Sequence, residues 1–253
     1  MANFAASPLS SPPGRVLGVP GGGLASASWA HSDGAAKAGR HGEECTAAAL
    51  APLALRPGGV CVLHDLRIPV KGTNANIDHA VVAGRQVLLI DTKTWKPGFI
   101  WTVSGVTRRG RRRFAPADKS TLGWAMSAVA GFLRNKGAIA ELGTPILTVW
   151  PPAARPGLSA GPGPSLWAYR PKGVRVVPGP RLAATVDTLL QNPSRGADPS
   201  VVAALSELLV TPPERTSSRI PRPSTVSALP PETAHGRRSE PIEHRPVIRL
   251  DEW

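Results

Sequence analysis

Residues 76–95, NIDHAVVAGRQVLLIDTKTW, restrict the fold of this chain more than any other stretch. Two apolar, β-branched runs flank Gly84-Arg85, the signature of a hairpin with glycine first in a two-residue loop of the II′ kind. With that loop, Ala83 pairs with Gln86, and counting back sets Asp78 opposite Asp91. Lys93 falls two residues further on, opposite Asn76, so Asp78, Asp91 and Lys93 share one face. Opposed side chains stand about 4.5–5.5 Å apart at Cβ, and like charges there are destabilising. Such a pair is usually solvated at a strand end. Here, however, Asp91 follows Val87-Leu88-Leu89-Ile90, a continuous apolar run expected of a strand buried on both faces. Two carboxylates at the end of a buried strand call for a counter-charge, and a divalent cation such as Mg2+, a hard ion that takes carboxylate oxygens, supplies one.

The remaining elements follow from periodicity and breakers. Residues 41–55 are rich in Ala and Leu, read as a helix and stop at Pro57-Gly58-Gly59. Glu43 lies on a stripe with Ala47, Leu50 and Ala54. Glu44 lies on the adjacent stripe, and the helical wheel does not separate the two. A favourable charge in a helix's first turn explains either one equally well. Residues 60–68 read as a strand, and 98–114 as a strand, a turn at Ser104-Gly105 and a basic return. Residues 121–142 carry helical spacing, 145–150 are a strand, and 166–169 and 173–177 are short strands. Residues 180–190 and 199–210 are short helices with proline near the start. The order predicts an α/β fold, a mixed sheet flanked by helices.

Proline (28) and glycine (26) are frequent, and aromatic residues make up 5%. Residues 1–36 and 214–253 are accordingly expected to be disordered tails around one domain at 37–213, with 247–253 a candidate interaction motif. Of the net charge of +13, most lies in residues 40–213, which hold 21 Lys and Arg against 10 Asp and Glu. A basic domain points to a polyanion, most often nucleic acid, although a high-GC coding bias enriches arginine as well. Arg108, Arg109, Arg111, Arg112 and Arg113 are the densest cluster, read as phosphate contacts beside the acidic hairpin or as a solvated loop. Two cysteines give neither a disulfide framework nor a zinc set and fit a reducing, cytoplasmic setting. No signal-peptide pattern and no apolar run long enough to span a bilayer occurs.

Taken in order, Gly42-Glu43, Leu50, Leu63-His64-Asp65, Asn76-Ile77-Asp78-His79 and Ile90-Asp91-Thr92-Lys93 resemble the NERD (nuclease-related) domain, a family placed in the PD-(D/E)xK nuclease superfamily. The resemblance covers about 38–213 and is looser toward its end. It implies a restriction-endonuclease-like fold. It also implies that Glu43 is the helix acid, Asp78 the central acid and Asp91 with Lys93 the D-x-K pair, with Mg2+ or Mn2+ held by Asp78, Asp91 and Glu43. The implied activity is a metal-dependent phosphodiesterase acting on DNA in preference to RNA. Relatives often carry Gln on the long helix; here no Gln occurs between Asp118 and Glu141, and Trp124 is the nearest large residue. A non-catalytic nucleic-acid binder that keeps the fold is the alternative, and an interaction protein working through its tails is a third reading.

Overall fold

The computed structural model describes residues 14–23, 33–117, 121–154, 161–190 and 196–210. The expected C-terminal tail lies outside them, as does much of the N-terminal one.

The hairpin forms as its sequence dictates. Strands β3 (Asn76–Ala83) and β4 (Gln86–Thr94) pair antiparallel with Ala83 opposite Gln86. Gly84 has φ 54° and Arg85 is not in the left-handed region, which is the II′ pattern. The hairpin is the centre of a mixed sheet. Strand β2 (Cys61–Arg67) pairs antiparallel with β3, and β9 (Ile146–Trp150) runs parallel to β4. Strand β11 (Arg175–Pro178) extends the sheet beyond β9, while β8 (Glu141–Leu142) pairs with the start of β4.

β4 is buried on both sides, as its apolar run requires. Val87 and Leu89 enter one core, with α2 (Thr121–Asn135) and α4 (Pro199–Ser206). Leu88 and Ile90 enter another, with α1 (Asp33–Ala54) and α3 (Leu182–Leu189). A second sheet, ordered β10 (Ser165–Ala168), β5 (Phe99–Val103), β6 (Val106–Arg109), β7 (Arg112–Arg113), shares a third core with the first. Trp95, Ile100, Leu147, Val149, Leu166 and Tyr169 build that third core.

Three expectations need correcting. Residues 14–23 are ordered, although 1–36 reads as a disordered tail: Arg15–Leu17 form β1, parallel to β2 with Val16 opposite Val62. A three-residue edge strand is too short to register in composition. Helix α1 begins at Asp33 rather than at 41, so Glu43 sits mid-helix, and first-turn charge stabilisation does not apply to it. Helix α2 ends at Asn135 rather than at 142. Gly137 has φ 69°, its amide donates to Arg134 O and the Ala138 amide donates to Leu133 O, the paired bonds of a Schellman stop.

Candidate functional site

Where the hairpin opens, its two strands part. The β3–β4 ladder ends at His79 opposite Ile90, beyond which β3 keeps only β2 and β4 keeps only β9. Asp78 and Asp91 are the next residues in register, so they flank a fork rather than sitting in a closed ladder as expected. The Thr92 amide donates to Asp78 Oδ2 across this fork (2.6 Å). The Lys93 ammonium lies 2.6 Å from Asp91 Oδ2 and donates to Thr92 O (3.2 Å). Lys93 and Asp91 keep 32% and 19% side-chain exposure, so the fork opens to solvent, while protein surrounds most of the Asp78 carboxyl.

α1 brings Glu43 to the same place. Its neighbour Gly42 makes this possible, because a Cβ there would lie 2.4 Å from Thr94 Oγ1. The close approach is fastened by Thr94 Oγ1 donating to Ala38 O (2.8 Å), by a Thr46–Thr92 hydroxyl bond (3.0 Å) and by Trp150 Nε1 donating to Thr46 Oγ1 (2.8 Å). Glu43 is buried and Glu44 exposed, which settles what the helical wheel leaves open.

Asp65 is the acid that sequence reasoning leaves without a role. It falls opposite Asp78 in register, between the pairs His64–His79 and Leu66–Ile77, and it is itself unpaired with Asp78 in the ladder. Its φ of 58° is left-handed, a conformation that Asp tolerates better than most residues. Leu63 and Leu66 share a core, as do Ile77 and Ala80, so strand alternation resets on both strands at this point. Asn76 Nδ2 donates to Asp65 Oδ1 (2.9 Å) and the Gly23 amide to Asp65 Oδ2, while the Gly21 amide donates to the Glu43 carboxylate. The glycine run 21–23 therefore straps the two acids through backbone N–H groups.

The electrostatics follow from several carboxylates crowding one ammonium. Burial raises the Glu43 carboxyl from an ordinary 4.5 to about 7, reinforced by Asp65 and Asp91 and opposed by the Gly21 amide and Lys93. Asp78 is held well above its usual range by burial, then by Asp91. Burial works against the Lys93 cation, but Asp91 and Asp78 more than offset it and hold its pKa above the ordinary lysine value. Lys93 is thus a fixed positive charge near neutral pH and not a proton acceptor.

The donor set suits a hard divalent cation: all oxygen, with more carboxylates than the one ammonium neutralises. As the side chains stand, no three His, Cys, Asp or Glu gather closely enough to hold an ion among the described residues, and Lys93 and the Thr92 amide occupy Asp91 and Asp78.

The five arginines lie on the second sheet and its Gly110 turn, and none figures among the charges that shift Glu43, Asp78 or Lys93. Residues 38–137 match the family model of the nuclease-related domain, NERD. The NERD match takes in the acids, Lys93, the arginines and α2, and it ends before β8. No curated protein and no solved structure matches the chain. Among the described residues no helix is long and apolar enough to cross a membrane.

Behind these acids, His64 and His79 form a buried pair, Nδ1 to Nδ1 at 2.7 Å, with rings edge to face. One Nδ1 donates to the other, so the accepting Nδ1 carries no proton. Burial lowers His64 to about 4 and pushes His79 well down, with the His64 charge adding to the effect. The resulting pH dependence has two opposed parts. Between pH 4.5 and 7 the folded state keeps a proton on Glu43 that the unfolded chain has lost, so this contribution to stability falls as pH rises. Below about 6.5 the unfolded histidines take protons that the folded pair refuses, so their contribution falls as pH drops. Asp78, also raised by burial, acts in the same sense as Glu43, so Glu43→Gln removes the Glu43 share and leaves the histidine part. Its melting temperature should therefore decline more steeply than wild type on acidification from pH 6.5 to 4.5. Superimposable profiles would show that Glu43 titrates at its ordinary value.

Proposed function

We propose that the chain is a metal-dependent phosphodiesterase acting on nucleic acid, DNA in preference to RNA. The observation that carries this reading is the fork, where Glu43, Asp78, Asp91 and Lys93 converge from α1 and from two parting strands at a solvent-open edge. Asp78 and Asp91, with Glu43, would hold Mg2+ or Mn2+. When bound, the ion supplies charge stabilisation at the phosphate and makes nearby water more acidic.

The chain's own residues do the rest. Lys93, permanently charged, donates to a phosphate oxygen as negative charge grows there in the transition state. Water adds to phosphorus, the bond to the leaving oxygen breaks, and that oxygen takes up a proton. Glu43, whose carboxyl burial raises in the empty site, would give up its proton as the ion binds. The Thr92 amide holds Asp78 Oδ2, which would leave the second oxygen for the ion. The direct test is cleavage of plasmid and single-stranded DNA with Mg2+ by wild type and Asp91→Ala. Wild type is expected to cut and the variant not to. Equal cleavage by both would locate the activity elsewhere.

The non-catalytic alternative shares the arginine ribbon. Arg109 pairs with Arg112 and Arg108 with Arg113, and Arg111 and Arg112 are exposed. Arg108 Nη1 donates to Arg111 O (3.1 Å) and the Arg109 guanidinium lies 5.5 Å over the Phe114 ring, so this is a shaped turn rather than a floppy run. Neutralising Arg111, Arg112 and Arg113 together should weaken DNA binding without sequence preference. The slope of log affinity against log salt should become shallower by roughly 0.7–0.9 per lost phosphate contact. A slope equal to wild type would assign these arginines to solvation alone.

A further inference from the structure

Beside the arginine ribbon lies an exposed aromatic surface that the cleavage reading does not use. Ile100 is buried in the third core, so its neighbours Phe99 and Trp101 on β5 point to the opposite, open face of the second sheet. Trp167 on β10 is 71% exposed and Phe99 is 39% exposed, and the two rings lie 5.3 Å apart, tilted by 36°. Cross-strand partners share a face, so Trp101, Arg108 and Arg113 form one row across β5, β6 and β7 on that same open side. Trp167 also lines a groove of about 520 Å³ together with Arg170, Arg181, Pro178 and Pro180. Cations thus adjoin an exposed aromatic pair.

Two adjoining exposed aromatic rings beside arginines form a patch of the kind that marks an interaction surface. The occupant must be negatively charged at its edges and flat and apolar between them. Single-stranded nucleic acid has this character: unstacked bases lie on aromatic faces while the backbone phosphates run past arginines. A duplex offers its phosphates but keeps its base faces buried. We infer that Trp167 and Phe99 are a base-stacking platform for single-stranded nucleic acid, with Arg108 and Arg113 in the row of Trp101 and Arg170 and Arg181 in the groove beside Trp167 to take its phosphates. The inference rests on the nucleic-acid reading of the site and specifies the strand state that the site receives. A strand laid on the platform is held by its bases, and an end or a melted region is its entry point.

The test is fluorescence anisotropy with the full chain in EDTA, where cleavage plays no part, using a labelled oligothymidine and a labelled hairpin duplex. Trp167→Ala should weaken oligothymidine binding about tenfold, the scale of one lost base stack, and leave duplex binding within about twofold. Trp167→Phe, which keeps a flat ring, should restore most of the loss. Because Trp167 is exposed, the melting temperature of both variants should match wild type. Unchanged oligothymidine binding by Trp167→Ala overturns the platform. Equal losses for both ligands overturn it as well, because they mark a general change in charge or fold. A wild-type dimer that Trp167→Ala converts to monomer, with binding unaltered, would give the surface to a second copy of the chain. Cleavage is read with Mg2+ and platform binding in EDTA on the same wild-type protein, so a failure of the cleavage reading and a failure of the platform are separate results.

Discussion

Lys93→Ala is expected to reduce Mg2+-dependent cleavage of a labelled single strand or duplex by about 10²–10⁴-fold in single turnover, equivalent to about 3–5 kcal/mol of transition-state stabilisation. The reason is its protonation state. Asp91 and Asp78 keep the ammonium charged, and it sits within 2.6 Å of Asp91 at the mouth of the fork. Its contribution is a positive charge aimed at the phosphate, and alanine has none to give. Lys93→Arg should recover little, because a planar guanidinium is larger than the ammonium that fits between Asp91 and the Thr92 carbonyl. Binding should respond differently. The stabilisation by Mn2+ or Mg2+ in a thermal melt should persist in Lys93→Ala and become larger, since a competing cation has left the carboxylates. DNA affinity should stay within a few fold. Wild-type cleavage by Lys93→Ala would remove the basis of the nuclease reading and leave the non-catalytic binder.

Asp78 should separate metal binding from architecture. Its Oδ2 accepts the Thr92 amide (2.6 Å), and Thr92 is buried. Asp78→Asn keeps an oxygen for that amide while removing a charge crowded by Asp91 and Glu43. Its metal-free melting temperature should equal or exceed that of wild type, and added Mn2+ or Mg2+ should no longer raise it. Asp78→Ala leaves the buried amide without its acceptor and should be less stable than Asp78→Asn by about 1–3 kcal/mol. Cleavage should be lost in both. If the Asn variant still gains stability from metal as wild type does, Asp78 is not a ligand. If the Ala variant is as stable as the Asn variant, the Thr92 bond does not hold the fork.

The hairpin was legible because its determinants are local. Two residues of turn chemistry fix the register, and the apolar run fixes burial on both sides of β4. The same logic failed one residue past His79, where the parting of β3 from β4 depends on β9 and β2 competing for them. Asp65 was hidden for a related reason: a left-handed aspartate in an apolar strand looks like any other alternation until both strands are seen to reset together. The burial of Glu43 over Glu44 was undecidable on a wheel and is decided by Gly42, whose value is the space beside Thr94. Trp167 and Phe99 are 68 residues apart in sequence, and only the parallel pairing of β10 with β5 makes them neighbours.

The strap of residues 21–23 redraws the working boundary of the domain. The family match begins at residue 38, yet the amides that hold Glu43 and Asp65 come from Gly21 and Gly23, and the strand that covers the edge of β2 is Arg15–Leu17. A fragment that starts at residue 38 and keeps everything after it would bare the hydrogen-bonding edge of β2, a surface prone to pairing with other chains. It would also release two acids that the longer chain keeps in place. Poor solubility or altered metal affinity in such a fragment would then report a missing strand, not a defective site.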